Sequence, residues 1–152
     1  MEMIVKLEDY RKVVNALNQA LEDFDALIHH ELKPLDQFGL TAQQERIMFF
    51  VIRHEPLTAK EIAVHFNISY SAVSQVVNKL EKQGMVVRQT NADNRRESYI
   101  KLGESGKRYA LTLSEIDDTL IEKYYSKADL QDLKHMLQTL ENLNQKIKTE
   151  KK

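Results

Sequence analysis

The segment from Thr58 to Gly106 constrains the fold most, because its hydrophobic pattern changes period in a fixed order. Thr58-Ala59-Lys60-Glu61 is a capping box: the Thr hydroxyl and the Glu carboxylate each satisfy the other's orphan backbone N–H. The helix it opens buries Ile62, Ala63 and Phe66. Asn67 suits a left-handed cap, and Ser69 caps the next helix. There Val73, Val76, Val77 and Leu80 form one apolar stripe that ends at Gly84. Two short strands with β-branched residues follow, Val86–Thr90 and Ser98–Leu102. Their polar connection, Asn91–Glu97, carries Asp93-Asn94-Arg95-Arg96.

The flanks are helical. Ile4, Leu7, Tyr10, Val14, Leu17, Leu21, Phe24, Ile28 and Leu32 recur in steps of three and four, which predicts one long amphipathic helix ended by Lys33-Pro34. Thr41-Ala-Gln-Gln44 is a second capping box, opening a helix whose inner face is Ile47, Phe50 and Val51, closed by His54-Glu55-Pro56. Beyond Glu104 the helical period returns through Tyr109, Leu113, Ile116, Leu120 and Tyr124. Ser126-Lys-Ala-Asp129 caps a last helix with Leu130, Leu133, Leu137, Leu140, Leu143 and Ile147 on one face and a fraying Lys-rich end. The expected architecture is mainly α with a small β-hairpin, in the order α-α-α-α-β-β-α-α. The compact lobe is 41–103 within a single domain over 1–152. The long helical regions, 4–33 and 104–150, must bury their apolar faces, and burial between two chains predicts a homodimer. A compact monomeric bundle is the alternative.

Composition excludes several classes. Four Gly and two Pro in 152 residues leave little turn chemistry and favour long helices. Without cysteine there is no disulfide framework, thiolate zinc site or thiol switch. The longest apolar run, Ile47 to Ile52, is too short to span a membrane, and the N-terminus mixes charge with apolar residues unlike a signal peptide. A cytoplasmic protein is expected. The net charge of −1 hides an asymmetry. Residues 58–101 hold seven Lys and Arg against four Asp and Glu, a local +3, whereas residues 1–40 hold four against eight. A local positive face is what attracts phosphate.

On the 69–83 helix, Ser71, Ser74, Gln75, Asn78, Lys79 and Lys82 face away from the apolar stripe. Small hydroxyls permit close entry into a DNA groove, Gln75 and Asn78 can pair with adenine edges, and Lys79 and Lys82 suit phosphates. Tyr70 stacks or bonds to the DNA backbone. Thr58, Lys60 and Ser69 flank this surface. Arg95 and Arg96 at the hairpin tip suit a narrow minor groove, with Asp93 orienting them by pairing an Arg or capping turn amides. Each feature alone also fits an ordinary solvated face; their succession points to double-stranded DNA.

The constellation resembles the MarR family of winged helix-turn-helix transcriptional regulators. The matching residues are Leu40-Thr41-x-x-Gln44, Leu57-Thr58-x-x-Glu61-Ile62-Ala63, Ser71-x-Val73-Ser74-x-x-Val77-x-x-Leu80-Glu81-x-x-Gly84-x-Val86-x-Arg88, Asp93-x-Arg95 and Leu102-x-x-x-Gly106. The resemblance implies a dimer joined by the first and last helices, Ser69–Gln83 as recognition helix, the hairpin as wing, a palindromic operator and usually repression. It also implies a small aromatic or anionic effector. One departure is Gly103, where the family usually has a capping Thr; lack of cysteine argues against the thiol-based peroxide-sensing branch.

No enzyme is expected, and no cofactor. His29, His30, His54, His65 and His135 lack metal-binding helical spacing, and Asp23, Asp25 and Asp117-Asp118 read as solvated faces. Two alternatives stand: a zinc-responsive regulator of the same fold, with ligands converging in a dimer, and a protein-interaction module without specific DNA binding. Arg46, Phe49, Arg53 and Tyr109 could line an effector cleft or simply pack, so no pocket is assigned.

Overall fold

The computed structural model describes residues 1–151, with side chains for all of them except Glu2, Met3 and Val5. Lys152, at the end of the predicted domain and its Lys-rich tail, lies outside the described residues.

Capping chemistry starts the helices of the central lobe where the sequence places it. Thr41 accepts from Gln44 N–H and opens α2 (Ala42–His54); Thr58 accepts from Glu61 N–H and opens α3 (Ala59–Phe66). Asn67 takes the left-handed conformation (φ 51°) that turns the chain toward α4 (Tyr70–Lys82), capped by Ser69. Val73, Val76, Val77 and Leu80 are all buried, as their spacing predicts. Burying side chains of this size contributes roughly 1.5–3 kcal/mol each. They meet Ile47, Met48 and Val51 of α2, Leu57, Ile62 and Ile100 in one core. On α2 the structure corrects one detail: Phe50 is only half-buried, and Met48 is fully buried.

The sheet is larger than a hairpin. β2 (Val86–Thr90) and β3 (Ser98–Leu102) pair antiparallel as expected, with Arg88 opposite Ile100. A two-residue β1 (Leu57–Thr58) joins the other edge of β3, pairing Leu57 with Ile100. The order is β1-β3-β2. Glu55 Oε2 accepts Leu102 N–H at 2.7 Å and fixes the end of β3.

Two glycines let the chain pass close to the turn between α4 and β2. A Cβ on Gly103 would overlap the Gly84 carbonyl oxygen, and one on Gly106 the Met85 carbonyl oxygen. The departure at Gly103 is therefore a matter of close backbone approach more than of capping.

The first helix departs from expectation. α1 (Glu2–Ile28) gives way at His29 to a 3₁₀ helix that runs through Pro34 to Phe38. Proline has no N–H for an α-helical bond, so the chain tightens and does not stop there. Gly39, at φ 61°, ends the run. On α1, Ile4, Leu7, Tyr10, Leu17 and Leu21 are each more than half exposed, whereas Ile28 is buried.

The chain forms two compact units, Met1–Glu115 and Ile116–Lys152. In the second, the end of α5 (Glu104–Lys123) leads through a 3₁₀ turn, Tyr125–Lys127, to α6 (Leu130–Glu150). Asp129 is the N-cap, accepting Gln131 N–H at 2.7 Å, while Ser126 Oγ donates to the Glu122 carbonyl. The cap predicted over 126–129 is thus Asp129 alone, because Ser126 is still in the preceding turn. Leu130, Leu137, Leu140 and Leu143 are more than half exposed. Among the described residues no helix is long and apolar enough to cross a membrane.

Candidate nucleic-acid interface

α4 separates its two faces as its sequence dictates. Opposite the buried stripe, Ser71, Gln75, Asn78, Lys79 and Lys82 are exposed, and Ser74 is half-buried. Lys79 and Lys82 lie in the last turn, where the helix dipole favours cations. Tyr70, the first residue of α4, is exposed.

Five of the residues expected to meet DNA surround one cleft of about 240 Å³: Thr58, Lys60, Tyr70, Ser74 and Arg96. They come from the start of α3, the start of α4 and the wing. Gln75, Asn78, Lys79, Lys82 and Arg95 do not line it; they sit exposed along α4 and on the hairpin.

Two of the expected hydroxyls have local work. Thr58 Oγ1 accepts Glu61 N–H and donates to the Glu61 carboxylate at 3.3 Å, so it is committed within its cap. Ser69 Oγ accepts Ala72 N–H at 3.1 Å and keeps its proton for an outside acceptor.

The wing tip is held differently from expectation. Asn91 Oδ1 accepts Asp93 N–H at 3.0 Å, and Asn94 Oδ1 accepts Arg96 N–H at 3.1 Å. These are two successive Asx turns. Among the described residues the Asp93 carboxylate has no ion-pair or hydrogen-bond partner. The orienting assigned to Asp93 is done here by Asn91 and Asn94, whose side-chain carbonyls reach the N–H two residues on. Arg95 and Arg96 are exposed at the tip.

Arg88, which is not among the residues expected to meet DNA, contacts one of them. Arg88, on β2, donates through Nη2 to Asn78 Oδ1 at 2.9 Å and places Nη1 3.3 Å from Glu81 Oε2. Glu81 is the one carboxylate on α4, so this pairing offsets the negative charge least suited to a phosphate-facing surface. The legible signal was Glu81 with Arg88 just past the helix end; that the guanidinium also reaches Asn78 depends on the angle between α4 and β2.

The residues weighed for an effector cleft separate. Tyr109 is fully buried, its ring edge-on to Phe38 at 5.0 Å and tilted to Phe49 at 6.3 Å, while the Arg46 guanidinium lies over Phe66 at 5.4 Å. The Tyr109 hydroxyl has no hydrogen-bond partner among the described residues. Burial, aided by the nearby Glu45 charge, pushes its pKa up to about 12. His54 and His65 both pack against Phe50, His65 stacked at 4.0 Å. Among the described residues no three His, Asp or Glu side chains gather as a metal-holding group.

Comparison with known proteins agrees with this geometry. A family model described as MarR family matches residues 38–97. The HTH-type transcriptional regulator YwhA of Bacillus subtilis, itself uncharacterised, is 30% identical over 117 residues, 74% of this chain and 84% of that protein. The organic hydroperoxide resistance transcriptional regulator of Bacillus subtilis is 28% identical over 141 residues, 91% of this chain and 96% of that protein. The expectation about the thiol-based peroxide-sensing branch rests on the absence of cysteine, which removes thiol chemistry from this chain. The crystal structure of Streptococcus pneumoniae FabT in complex with DNA shares the fold, with a TM-score of 0.74 at 15% identity over 92% of this chain and 98% of that one. Residue pattern, lobe architecture and relatives matched over most of their length lead to one family: the chain belongs to the MarR family of winged helix-turn-helix transcriptional regulators.

Proposed function

We propose that this protein is a repressor that grips a palindromic DNA operator as a homodimer and is released by a small aromatic or anionic effector. The observation that carries the DNA reading is the convergence of Lys60, Tyr70, Ser74 and Arg96, from three separate elements, around one cleft beside the exposed face of α4. In this reading α4 enters the major groove, where Ser71, Gln75 and Asn78 meet base edges. Lys60, Tyr70, Lys79 and Lys82 hold phosphates, and the N-cap residues Thr58 and Ser69 bring the helix starts to the backbone. Arg95 and Arg96 enter the neighbouring minor groove. FabT in its DNA complex has the same fold, which supports the placement.

The apolar stripes left exposed on α1 and α6 support the dimer. Covering them in a second copy joins residues 4–33 and 104–150 into shared arms and holds two 41–103 lobes about a dyad, within one functional domain over 1–152. A dyad in the protein requires an inverted repeat in the DNA. An effector that changed the angle between the arms would change the distance between the two lobes. The protein works where the DNA is, in the cytoplasm, and carries out no catalysis.

Fluorescence anisotropy with a labelled genomic duplex from upstream of its own coding sequence tests the reading. Saturable binding at moderate salt that resists random competitor DNA, and is reversed by an aromatic acid, is expected. Affinity equal to that for random duplex would sink it and favour an interaction module.

A further inference from the structure

We infer that Arg88 sets part of the base preference of this protein by fixing Asn78 as a hydrogen-bond donor, an inference that rests on the DNA-binding reading above. Arginine carries donors and no acceptor, so the Asn78 atom that faces it is the carbonyl oxygen. The Nη2···Oδ1 distance is 2.9 Å. The same guanidinium has a second anchor, Glu81 Oε2, at 3.3 Å, one turn further along α4. With both anchors in place the guanidinium cannot readily follow the amide round. Charge-assisted hydrogen bonds of this kind are about twice as strong as neutral ones.

The consequence falls on what Asn78 can read. An unrestrained Asn pairs with adenine through both ends of its amide, oxygen to N6 and nitrogen to N7. Here one lone pair of the oxygen is held by a cation on the β2 side, which turns that end of the amide toward β2 and presents the two N–H groups of Nδ2 to a partner outside. The complement of two donors is a pair of adjacent acceptors, and in the major groove that is N7 and O6 of guanine. The restraint reverses the adenine preference expected from an Asn side chain alone. Arg88 is a positioning residue in this account, and Asn78 makes the base contact.

The test is an anisotropy panel in which every base pair of one half-site is replaced in turn, measured for the wild type and for Arg88→Ala, Arg88→Lys and Asn78→Ala. The wild type should prefer guanine over adenine at one position by about tenfold or more. Asn78→Ala should abolish that preference at that position alone. Arg88→Ala, freeing the amide to turn, should shrink or invert it there and leave the other positions as they were, while Arg88→Lys, which keeps a donor, should retain it. Arg88→Ala lowering affinity by the same factor on every duplex, with preference intact, would overturn the inference and leave the DNA-binding reading standing. A wild type without preference at any position would overturn both. Should circular dichroism show Arg88→Ala unfolded, Glu81→Gln takes its place: removing the second anchor should narrow the same preference, and a uniform effect across the panel would count against the inference.

Discussion

Gln44 Nε2 donates to Gln83 Oε1 across 3.2 Å, tying the first turn of α2 to the C-cap of α4. Gln44 is 6% exposed, and its Oε1 also accepts Thr41 N–H at 2.9 Å. One buried amide therefore closes a capping box and anchors the far end of α4. Gln44→Ala removes both bonds and should lower stability by about 1 kcal/mol. The measurement is a urea midpoint followed by circular dichroism. A midpoint equal to that of the wild type would show the link to be idle.

Gly106 packs its Cα against Met85, just before β2. A Cβ there would overlap the Met85 carbonyl oxygen and come within 3.2 Å of Leu102 Cδ2. Backbone cannot yield as a flexible side chain can, so Gly106→Ala should destabilise the lobe by roughly 1–3 kcal/mol, although alanine favours helix. Thermal unfolding decides between the two effects: a raised Tm would mean that helix propensity wins.

The helix α4 was legible because Val73, Val76, Val77 and Leu80 keep one helical face between a recognisable cap and Gly84. β1 was not. Leu57–Thr58 is too short to show any period, and its pairing with Ile100 is a long-range event that no local pattern encodes. Pro34 misled in a different way: it stops an α-helical ladder, but the 3₁₀ form tolerates it. At the wing, the Asx residues were visible while the orienting work went to the wrong one, since Asp93 and its two Asn neighbours are all good turn formers. Arg88 was hidden because its contact with Asn78 crosses from strand to helix.

The buried Tyr109 hydroxyl is a cost without a hydrogen bond to offset it. Tyr109→Phe should be neutral or stabilising. The pH dependence has a definite sign. The folded pKa, about 12, lies above the ordinary value of 10.0, so the neutral phenol favours the folded state. This stability is fully present below pH 10 and is lost as pH rises toward 12, by up to about 1.4 kcal/mol per unit. Unfolding free energies measured across that window should fall less steeply for Tyr109→Phe; parallel curves would contradict the assignment.

Exposed apolar side chains on both terminal helices make the dimer testable without DNA. Leu17→Glu or Leu140→Glu places a charge within a stripe that the account covers in a second copy. Light scattering should give twice 17.7 kDa for the wild type and a lower mass for either variant at micromolar concentration. A wild-type mass of 17.7 kDa would remove the dimer and with it the palindrome.

At the wing, Arg95 is exposed and carries no hydrogen bond or ion pair among the described residues. Arg95→Ala should weaken operator binding by roughly tenfold and flatten the preference for A·T-rich flanks, without moving the base preferences set by α4. Anisotropy on duplexes with A·T and G·C flanks reads both effects, and unchanged affinity on both would sink the wing assignment.

The most direct test of the whole account is selection of bound duplexes from a random pool with the full chain, followed by measurement of the stoichiometry on the selected sequence. A dimer gripping the duplex through two α4 helices should select an inverted repeat with half-site centres about one helical turn apart, bound by two chains and favoured over random duplex by on the order of a thousandfold. Enrichment of a single, non-repeated site bound by one chain, or no enrichment at all, would contradict it.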